Sequence, residues 1–438
     1  MNRAGNPDPS PGSSGLVPAV GGEHAVPAAD RIARDYILLA LRLDQHAPGL
    51  VDAYVGPRDL KAQVDTESLR PPVRLAGDAA ELRDRLSAEV TEPDRGRWID
   101  RQLIALETQA LLLTGLDLPY VELVSRCFDA CPEPLAAATY ASVREDLDRL
   151  LPGTGDLRRR LDAWDARFTI PTDRVQAVVD WLVPRLREAS DARFPAPAGE
   201  SVVVNLVTDQ PWSGYNWYDG GLRSRIDINV DLPLRPHDLV ATLSHETFPG
   251  HHLEHAWKEQ RLVREQRRLE AALLLINTPE CYVSEGLAEL GRRFTIDADA
   301  WRRLLGGAYG LAGTEADEDD AARQVAIGDA LHRIRGAGGD AALRLHADRE
   351  ARDEVHRFLV EEALMDPDRA ERRLRFIEHP LWRTYVFSYA GGERLLASWC
   401  DAAGSPEGAR SRFFRLLTEQ LTPSGIREDL AKGPSGAP

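Results

Sequence analysis

The sequence predicts a mainly α protein with one small β element, and three observations support this fold class. Apolar residues recur at helical spacing along most of the chain, which is typical of amphipathic helices that share a core. Two short segments, 201–209 and 224–232, instead carry β-branched residues or alternate apolar with polar side chains, which indicates strands. The composition, with 43% apolar and 28% charged residues, is that of an ordinary globular protein.

The N-terminal part is predicted to be helical after an unstructured leader. Residues 1–29 are rich in Pro, Gly and Ser and carry little to bury, which predicts disorder. Asp30 is expected to cap the first helix, and the region 30–198 then continues as helices. Further amphipathic runs lie at about 98–115, 134–151, 155–168 and 173–190.

The character of the sequence changes after this region. SVVVNLVTD and SRIDINVDL read as two strands of a small sheet, separated by the aromatic loop PWSGYNWYDGG. A helical pattern resumes at Pro236 and lasts nearly to the end. The region 199–430 is therefore predicted to be the catalytic region, forming one compact unit with 30–198, and the tail 431–438 is expected to fray.

Composition excludes several classes of function. The net charge of −16 argues against nucleic acid as a partner, because phosphate backbones need a basic surface. No stretch reaches the ~20 apolar residues of a membrane span, so no membrane partner is expected. The first residues contain no apolar signal segment, which predicts a cytoplasmic protein. Four cysteines are too few for a disulfide scaffold, and the oligomeric state stays open.

One segment, SHETFPGHHLEH, holds four of the eleven histidines and indicates a metal site. His245 followed by Glu246 matches the first half of the zincin signature, in which the His binds zinc and the Glu is general base. The usual second ligand four residues later is replaced by Pro249. A bulge at this proline and the glycine after it would bring His251 or His252 to the second ligand position; His251 is favoured, and both stay open.

The segment ECYVSEGLAELGRRF offers a carboxylate as third ligand. Glu285 and Glu289 are four residues apart and share a helix face. Glu285 on a helix antiparallel to the first would complete a site of two histidines and one glutamate, whereas Glu289 is more typical of a salt-bridge partner. Such a donor set favours one zinc ion, with manganese, iron or cobalt as alternatives.

The two segments together resemble a known bacterial family. HETFPGHH followed by SEGLAEL is similar to the family labelled domain of unknown function 885, whose hallmark is HExxPGHH with a later Glu-Gly-Trp-Ala segment. The similarity is strongest from about 200 to 395. The family is grouped with gluzincin-like metallopeptidases. The resemblance therefore implies a large helical zincin-like (gluzincin-type) fold with a small β-sheet next to the HExxPGHH helix.

The resemblance also implies roles for individual residues. It makes His245 and either His251 or His252 metal ligands, with Glu285 as the third ligand and Glu246 as the base. The chain departs from the family pattern at two positions. Leu287 stands where the family has Trp, and Glu254 stands where Gln is common; both would affect substrate preference.

A later segment, HPLWRTYVFSYAGGERLL, contains candidate donors for the oxyanion of a tetrahedral intermediate. In relatives of this kind a C-terminal Tyr or His donor is common, which favours Tyr389, with Arg383 as a further candidate catalytic residue. Tyr385 is expected to bind substrate. The aromatic loop, with Trp212, Tyr215, Trp217 and Tyr218, is expected to wall the cleft, and Trp217 and Tyr218 are expected to bind substrate.

These features together predict a metal-dependent hydrolase, a peptidase or amidase that uses metal-activated water on a peptide or small-molecule substrate. One alternative is a specialised enzyme of small-molecule metabolism, either an ester or amide hydrolase or a lyase. Another is a non-catalytic protein that binds a metal or ligand. Glu246 favours catalysis, because a structural zinc needs no neighbouring carboxylate and is usually closed by four protein ligands.

Overall fold

The computed structural model describes residues 27–210 and 212–433. Helices dominate these residues and a small sheet lies beside the histidine motif, so the predicted mainly α class is confirmed. Most of the predicted leader and most of the predicted tail, residues 1–26 and 434–438, lie outside the described residues. Within the described part of the chain, no helix is both long and apolar enough to cross a membrane.

The N-terminal elements form a helical layer with its own hydrophobic cluster. They are α1 (Ala28–Asp44), β1 (Val51–Tyr54), α2 (Arg58–Thr66), α3 (Pro72–Glu89) and α4 (Pro93–Leu113). Helix α1 begins at Ala28, two residues before the predicted cap at Asp30, because Ala29 is already buried and Pro27 supplies a fixed φ just ahead of the first turn. The same cluster takes in residues 273–276 from much later in the chain.

The next four helices share their core with the C-terminal half. They are α5 (Tyr120–Phe128), α6 (Ala137–Leu150), α7 (Leu157–Ala166) and α8 (Thr172–Asp191). The division between the two hydrophobic clusters therefore falls between residues 110 and 120. Amphipathic periodicity identifies buried helix faces but carries no information on which core they enter.

The sheet beside the motif has three strands rather than the two expected. They are β2 (Ser201–Val207), β3 (Gly214–Tyr218) and β4 (Arg223–Asn229). Their order is β2-β4-β3, with β2 parallel and β3 antiparallel to β4. The segment predicted as an aromatic loop is thus largely strand β3. Gly214 and Asn216 hide its strand character, because both residue types are depleted in strands.

The remaining elements are mostly helical, as the sequence indicates from Pro236 onward. They are α9 (Pro236–Glu246), α10 (His251–Lys258), a π-helical turn (Glu259–Glu265), a 3₁₀ turn (Leu269–Ala272), β5 (Leu273–Leu275), α11 (Pro279–Thr295), α12 (Ala298–Ala312), α13 (Glu318–His332), α14 (Ala337–His346), α15 (Arg352–Arg357), a second π-helical turn (Phe358–Glu362), α16 (Pro367–Glu378), α17 (Val386–Asp401), α18 (Pro406–Thr418) and α19 (Pro423–Ala431).

Two long-range connections fasten the N-terminal layer to the rest of the molecule. Strand β1 pairs antiparallel with β5, whose C-terminal end leads directly into α11. In addition, Arg95 Nε lies 2.7 Å from Glu270 Oε1, and both side chains are buried. These connections place β1 beside α11, and so they bring the N-terminal layer to the edge of the region that holds the histidine motif.

Candidate metal centre

The histidine motif is divided between two helices. Helix α9 ends at Glu246 and α10 begins at His251, so the bulge expected at the proline and glycine is a complete break. A Cβ atom on Gly250 would lie 1.8 Å from the backbone oxygen of His245, so only glycine fits this close approach. As a result the chain after the break folds back, and the ring centroids of His245 and His251 are 4.7 Å apart.

Helix α11 brings Glu285 to these two imidazoles. Its Oε2 lies 3.3 Å from His245 Nε2, and its Oε1 lies 3.5 Å from His251 Nε2. One candidate ligand atom from each of the three residues lies within 4.8 Å of the other two. Helix α11 starts with a Thr278 cap that accepts a hydrogen bond from the backbone of Cys281, and Pro279 occupies its first position.

The donor set and its hydrogen bonding fit a divalent metal ion such as zinc. Two imidazoles and one carboxylate are the protein ligands of many catalytic zinc sites. The Oε2 atom of Glu285 is buried without a hydrogen-bond partner among the described residues, which is costly unless a cation takes that place. Burial acts to raise the pKa of Glu285, but His251 and His245 outweigh it and hold that pKa well below its usual range.

His252, the other predicted candidate ligand, lies outside this group. Its Nε2 is 2.7 Å from Glu200 Oε2 and its Nδ1 is 2.8 Å from Ser224 Oγ. Burial, assisted by Arg187, lowers the pKa of His252 to about 4, so the ring is neutral. This residue fastens α10 to the start of β2 and to β4, and both of its nitrogens are occupied.

Glu246, the predicted base, lies in the cavity wall beside the candidate ligands. Its backbone oxygen accepts a hydrogen bond of 2.8 Å from Asn216 Nδ2, which ties the end of α9 to β3. A Cβ on Gly214 would lie 3.4 Å from Glu246 Oε1, so this glycine leaves room for the carboxylate. Burial raises the pKa of Glu246, and no hydrogen bond from a described side chain reaches its carboxylate.

A second group of potential ligands, His251, Glu254 and His255, is also close together. Here Lys258 Nζ lies 2.7 Å from Glu254 Oε1 and 3.1 Å from Glu280 Oε1, so one ammonium group already pairs with both carboxylates. Ser284 Oγ donates to Glu254 Oε2 at 2.5 Å. We interpret this group as support for the His251 ring, whose Nδ1 lies 3.6 Å from Glu254 Oε2.

Glu289 lies beside His245 in the same way that Glu254 lies beside His251. Its Oε1 lies 3.6 Å from His245 Nδ1, and its other oxygen pairs with Arg335. The structure therefore places Glu289 as a partner of His245 and of an arginine, in keeping with the sequence prediction.

The predicted donors of the C-terminal segment separate into two groups. Tyr389 lines the cavity, with its ring centroid 6.2 Å from that of His245. Tyr385 also lines it, and its hydroxyl donates to Glu285 Oε1 at 2.5 Å. Arg383 does not line it: its backbone oxygen accepts from Tyr120, on the opposite side of the turn. The predicted catalytic role of Arg383 therefore has no support from the lining of the cavity.

Two residues of the aromatic segment are also corrected. Tyr218 Oη donates to Glu259 Oε2 at 2.6 Å, and Trp217 Nε1 donates to Asp227 Oδ2 at 2.8 Å. Neither residue lines the cavity; Trp212 and Tyr215 from the same segment do. Position along β3, rather than its face, separates Trp217 from Tyr215: the two rings share a face, with centroids 4.5 Å apart, and only Tyr215 reaches the cavity.

The candidate ligands, Glu246 and both tyrosines lie in one cavity of about 450 Å³. Sequence reasoning missed several of its wall residues. These are Asp52, Gln210, Arg372, Arg375 and His379. The one available signal for Asp52 is a carboxylate inside the short strand-like run VDAYV, far from the histidine motif in sequence.

Comparisons with known proteins give only distant likenesses. Neither a protein-family model nor a curated protein matches the chain, so the resemblance to domain of unknown function 885 stays an expectation. A solved structure of a protein named as a lipoprotein, from Colwellia psychrerythraea, has 14% identity and a TM-score of 0.48; the likeness covers 82% of this chain and 66% of that one. The chain thus spans slightly less than two thirds of that protein.

Two further solved structures are also only distantly similar. A protein named as a lipoprotein of unknown function, from Shewanella oneidensis, has 14% identity and a TM-score of 0.48 over 91% of this chain and 73% of that one. An M32 carboxypeptidase from Deinococcus radiodurans R1 has 15% identity and a TM-score of 0.37 over 93% and 95%. At these values the likenesses assign neither a family nor an activity to the chain.

Proposed function

We propose that this chain is a metal-dependent hydrolase, most simply a zinc peptidase or amidase that cleaves a peptide or other amide bond. The observation that carries the proposal is the convergence of His245, His251 and Glu285 in a cavity whose wall also contains Glu246. Zinc held by these side chains would supply Lewis acidity to the substrate carbonyl and to the attacking water.

Glu246 is the proposed general base. Its carboxylate is free of hydrogen bonds from described side chains, so it can take a proton from the attacking water and pass it to the leaving amine. Burial raises its pKa, which brings the carboxyl closer to the range in which it exchanges protons at neutral pH. General acid–base catalysis of this kind contributes about 10²–10⁴-fold to rate.

Tyr389 is the proposed donor to the oxyanion. Burial and the Glu285 carboxylate raise the pKa of its phenol well above the usual value, so the group stays protonated and can donate. Tyr385 has a different role, because its hydroxyl is engaged by Glu285 and orients that carboxylate. We therefore assign Tyr385 as a positioning residue for the ligand and Tyr389 as the group that contacts the reacting atoms.

The number of ligands favours a catalytic over a structural ion. Structural zinc sites are closed by four protein ligands, whereas catalytic ones keep a position for water. The site has three converging ligands, and the nearest further carboxylates, Glu254 and Glu289, are paired with Lys258 and Arg335. This supports the hydrolase over a purely structural metal protein.

The test combines metal content with one isosteric substitution. Glu246→Gln is expected to bind zinc at the wild-type stoichiometry while hydrolysis of a panel of dipeptides, blocked peptides and acyl-amino acids falls about 10²–10⁴-fold. Glu407→Gln removes an exposed carboxylate on α18 and serves as the matched control with unchanged activity. Absence of bound metal after reconstitution, or full activity in Glu246→Gln, would reject the proposal.

A further inference from the structure

Asp52, which lines the cavity, lies at an irregularity in the pairing of strands β1 and β5. In the β1–β5 ladder, Val51 pairs with Leu275 and Ala53 pairs with Leu274, so the register shifts at the residue between them. Asp52 is therefore the extra residue of a β-bulge. Bulges re-aim a side chain and are over-represented beside active sites. Here the bulge directs a carboxylate from the N-terminal layer into the cavity that holds the candidate metal ligands.

This carboxylate has a hydrogen bond but no cation. Tyr215 Oη donates to its Oδ1, and no described residue donates to or pairs with its Oδ2. Arg372, Arg375 and His379 also line the cavity, but none of them forms an ion pair with Asp52. Tyr215 is thus its one direct partner among the described residues, and His251, Glu285 and Glu246 lie within longer electrostatic range.

Three other carboxylates of the cavity differ from Asp52 in this respect. Glu254 and Glu280 share the ammonium of Lys258, at 2.7 and 3.1 Å. Glu285 contacts both imidazoles of the candidate metal site. An enclosed carboxylate without a counter-ion is costly, and this cost is offset when a cation binds to it. Apart from Glu246, which the proposed function uses as the base, Asp52 is therefore the cavity carboxylate whose missing partner is a cationic ligand.

The surroundings of Asp52 suit an ammonium group better than a metal ion. Trp212 and Tyr215 lie with their ring centroids 5.5 Å apart in the same wall, and Trp382 lies in the cavity as well. Aromatic faces attract ammonium groups, whereas a metal ion requires several oxygen, nitrogen or sulfur ligands. No further carboxylate or imidazole joins Asp52 in a metal-type cluster among the described residues.

From this geometry we infer that Asp52 forms a subsite for a positively charged amine of the substrate, in the first place a free α-amino group. The inference rests on the proposed function, because it names the class of substrate for the same cavity: short peptides or amino-acid amides with an unblocked amine. Asp52 is a specificity-determining residue in this scheme, and Tyr215 holds its carboxylate in place.

The binding experiment uses two probes that contain no amide bond and cannot be cleaved. Phenethylamine carries the cation, and 2-phenylethanol is its neutral counterpart. Titration calorimetry on the full chain, with and without zinc, is expected to give an affinity for phenethylamine roughly tenfold above that for 2-phenylethanol. Asp52→Asn is expected to abolish this preference. Asp65→Asn, at an exposed position on α2, removes the same charge and keeps the preference.

Tyr215→Phe distinguishes ion pairing from a structural role. If Asp52 merely held the Tyr215 ring, the two substitutions would have the same effect. We expect Tyr215→Phe to keep most of the preference for phenethylamine, because the carboxylate remains. Two results would overturn the inference. The first is equal binding of the two probes by the wild-type protein, a result that does not depend on whether Asp52→Asn folds. The second is a loss of the preference for phenethylamine in Tyr215→Phe that is as large as the loss in Asp52→Asn.

A turnover experiment separates this inference from the proposed function. Zinc-loaded protein is offered a free dipeptide, its N-acetyl form, and an N-acetyl peptide with a lysine side chain. Faster cleavage of the free dipeptide supports an α-amino subsite, and recovery with lysine identifies a side-chain amine as the source. Equal cleavage of all three rejects the inference but keeps the hydrolase. Cleavage of none, with preferred binding of phenethylamine intact, rejects the hydrolase but keeps the subsite.

Discussion

At the scale of single residues, His251 and His252 are neighbours in sequence with opposite environments. His251 contacts Glu285 in the cavity, whereas His252 is completely buried between Glu200 and Ser224. Successive residues of a helix point about 100° apart, given 3.6 residues per turn. The break at Gly250 decides which of the two faces the metal site, because it fixes where that turn starts.

This difference predicts separate effects for two alanine substitutions. His251→Ala should lower zinc affinity by more than about 100-fold, since removal of residues that merely support a ligand already costs 10–100-fold. The free energy of unfolding of the metal-free protein should change little. His252→Ala should instead destabilise the metal-free protein by about 2–4 kcal/mol, because it leaves a cavity and two unsatisfied polar groups.

Zinc titration of the folded protein and urea unfolding in the presence of a chelator measure the two quantities. The folded fraction of His252→Ala should bind zinc nearly as well as wild type. An equal loss of zinc affinity in both variants would contradict the assignment of His251 as the ligand.

The candidate site could be predicted from the sequence only in part. His245, Glu246 and Glu285 were identifiable because they stand in short motifs at spacings that a helix converts directly into positions. The choice between His251 and His252 depends on the backbone path at the break, which spacing does not encode. The position of Arg383 relative to the cavity cannot be predicted for a similar reason: the side of a turn on which a residue lies is unknown before the turn is placed.

At the scale of elements, the packing of α11 against α17 depends on a pair of glycines. A Cβ on Gly286 would lie 2.4 Å from the backbone carbon of Gly392, and a Cβ on Gly392 would lie 2.5 Å from the backbone oxygen of Tyr282. Helix α11 carries Glu285 and α17 carries Tyr389. The close approach of the two backbones therefore sets the distance between a candidate ligand and the proposed oxyanion donor.

Gly392→Ala is accordingly expected to separate the two helices. Overpacking of this kind costs about 1–3 kcal/mol, and the shift of Tyr389 should lower kcat more than it lowers zinc affinity. Thermal unfolding, zinc titration and steady-state kinetics measure the three effects. In Gly306→Ala, at a helical position with no atom within 4 Å of the added Cβ, stability should instead rise by about 0.5–1 kcal/mol. Unchanged stability and kinetics in Gly392→Ala would show that the glycine contact is not needed.

Elements were predicted best where the pattern is strong and local. Strands β2 and β4 carry β-branched or alternating residues and were identified. Strand β3 was predicted as a loop because of its glycine and asparagine, and β1 and β5 are too short to show a period. Their pairing is a tertiary event, which a single sequence does not specify.

At the scale of the whole molecule, the four cysteines are distributed as independent thiols. Cys127, Cys281 and Cys400 are buried, whereas Cys131 is exposed. Burial raises the pKa of Cys127 and of Cys400 to about 12, and it also raises the pKa of Cys281. The thiolate is the reactive form, so the three buried cysteines combine low access with low nucleophilicity.

Iodoacetamide is therefore expected to modify a single cysteine in the native protein and all four in denaturant, as read by intact-mass spectrometry. Cys131→Ser should remove the native modification and leave three in denaturant. Rapid modification of Cys281 in the native state would indicate that the wall of the cavity opens, because this residue also lines the cavity.

The connection between the two hydrophobic clusters could not be predicted from periodicity. The Arg95–Glu270 pair spans 175 residues and the Tyr215–Asp52 hydrogen bond spans 163. Each partner looks like an ordinary surface residue in its local sequence. Only the pairing of β1 with β5 shows that the N-terminal layer forms one wall of the cavity.

That pairing has a consequence for how the cavity assembles during folding. His245, His251 and Glu285 lie close in sequence, so a short chain closure brings the ligands together. Asp52 arrives only after a far longer closure, and contacts of large sequence separation form slowly because they must overcome more chain entropy. The proposed metal binding and amine recognition are therefore expected to mature at different times in a newly made chain: zinc capture needs only the short closure, whereas distinguishing a free peptide terminus from a blocked one needs the long closure.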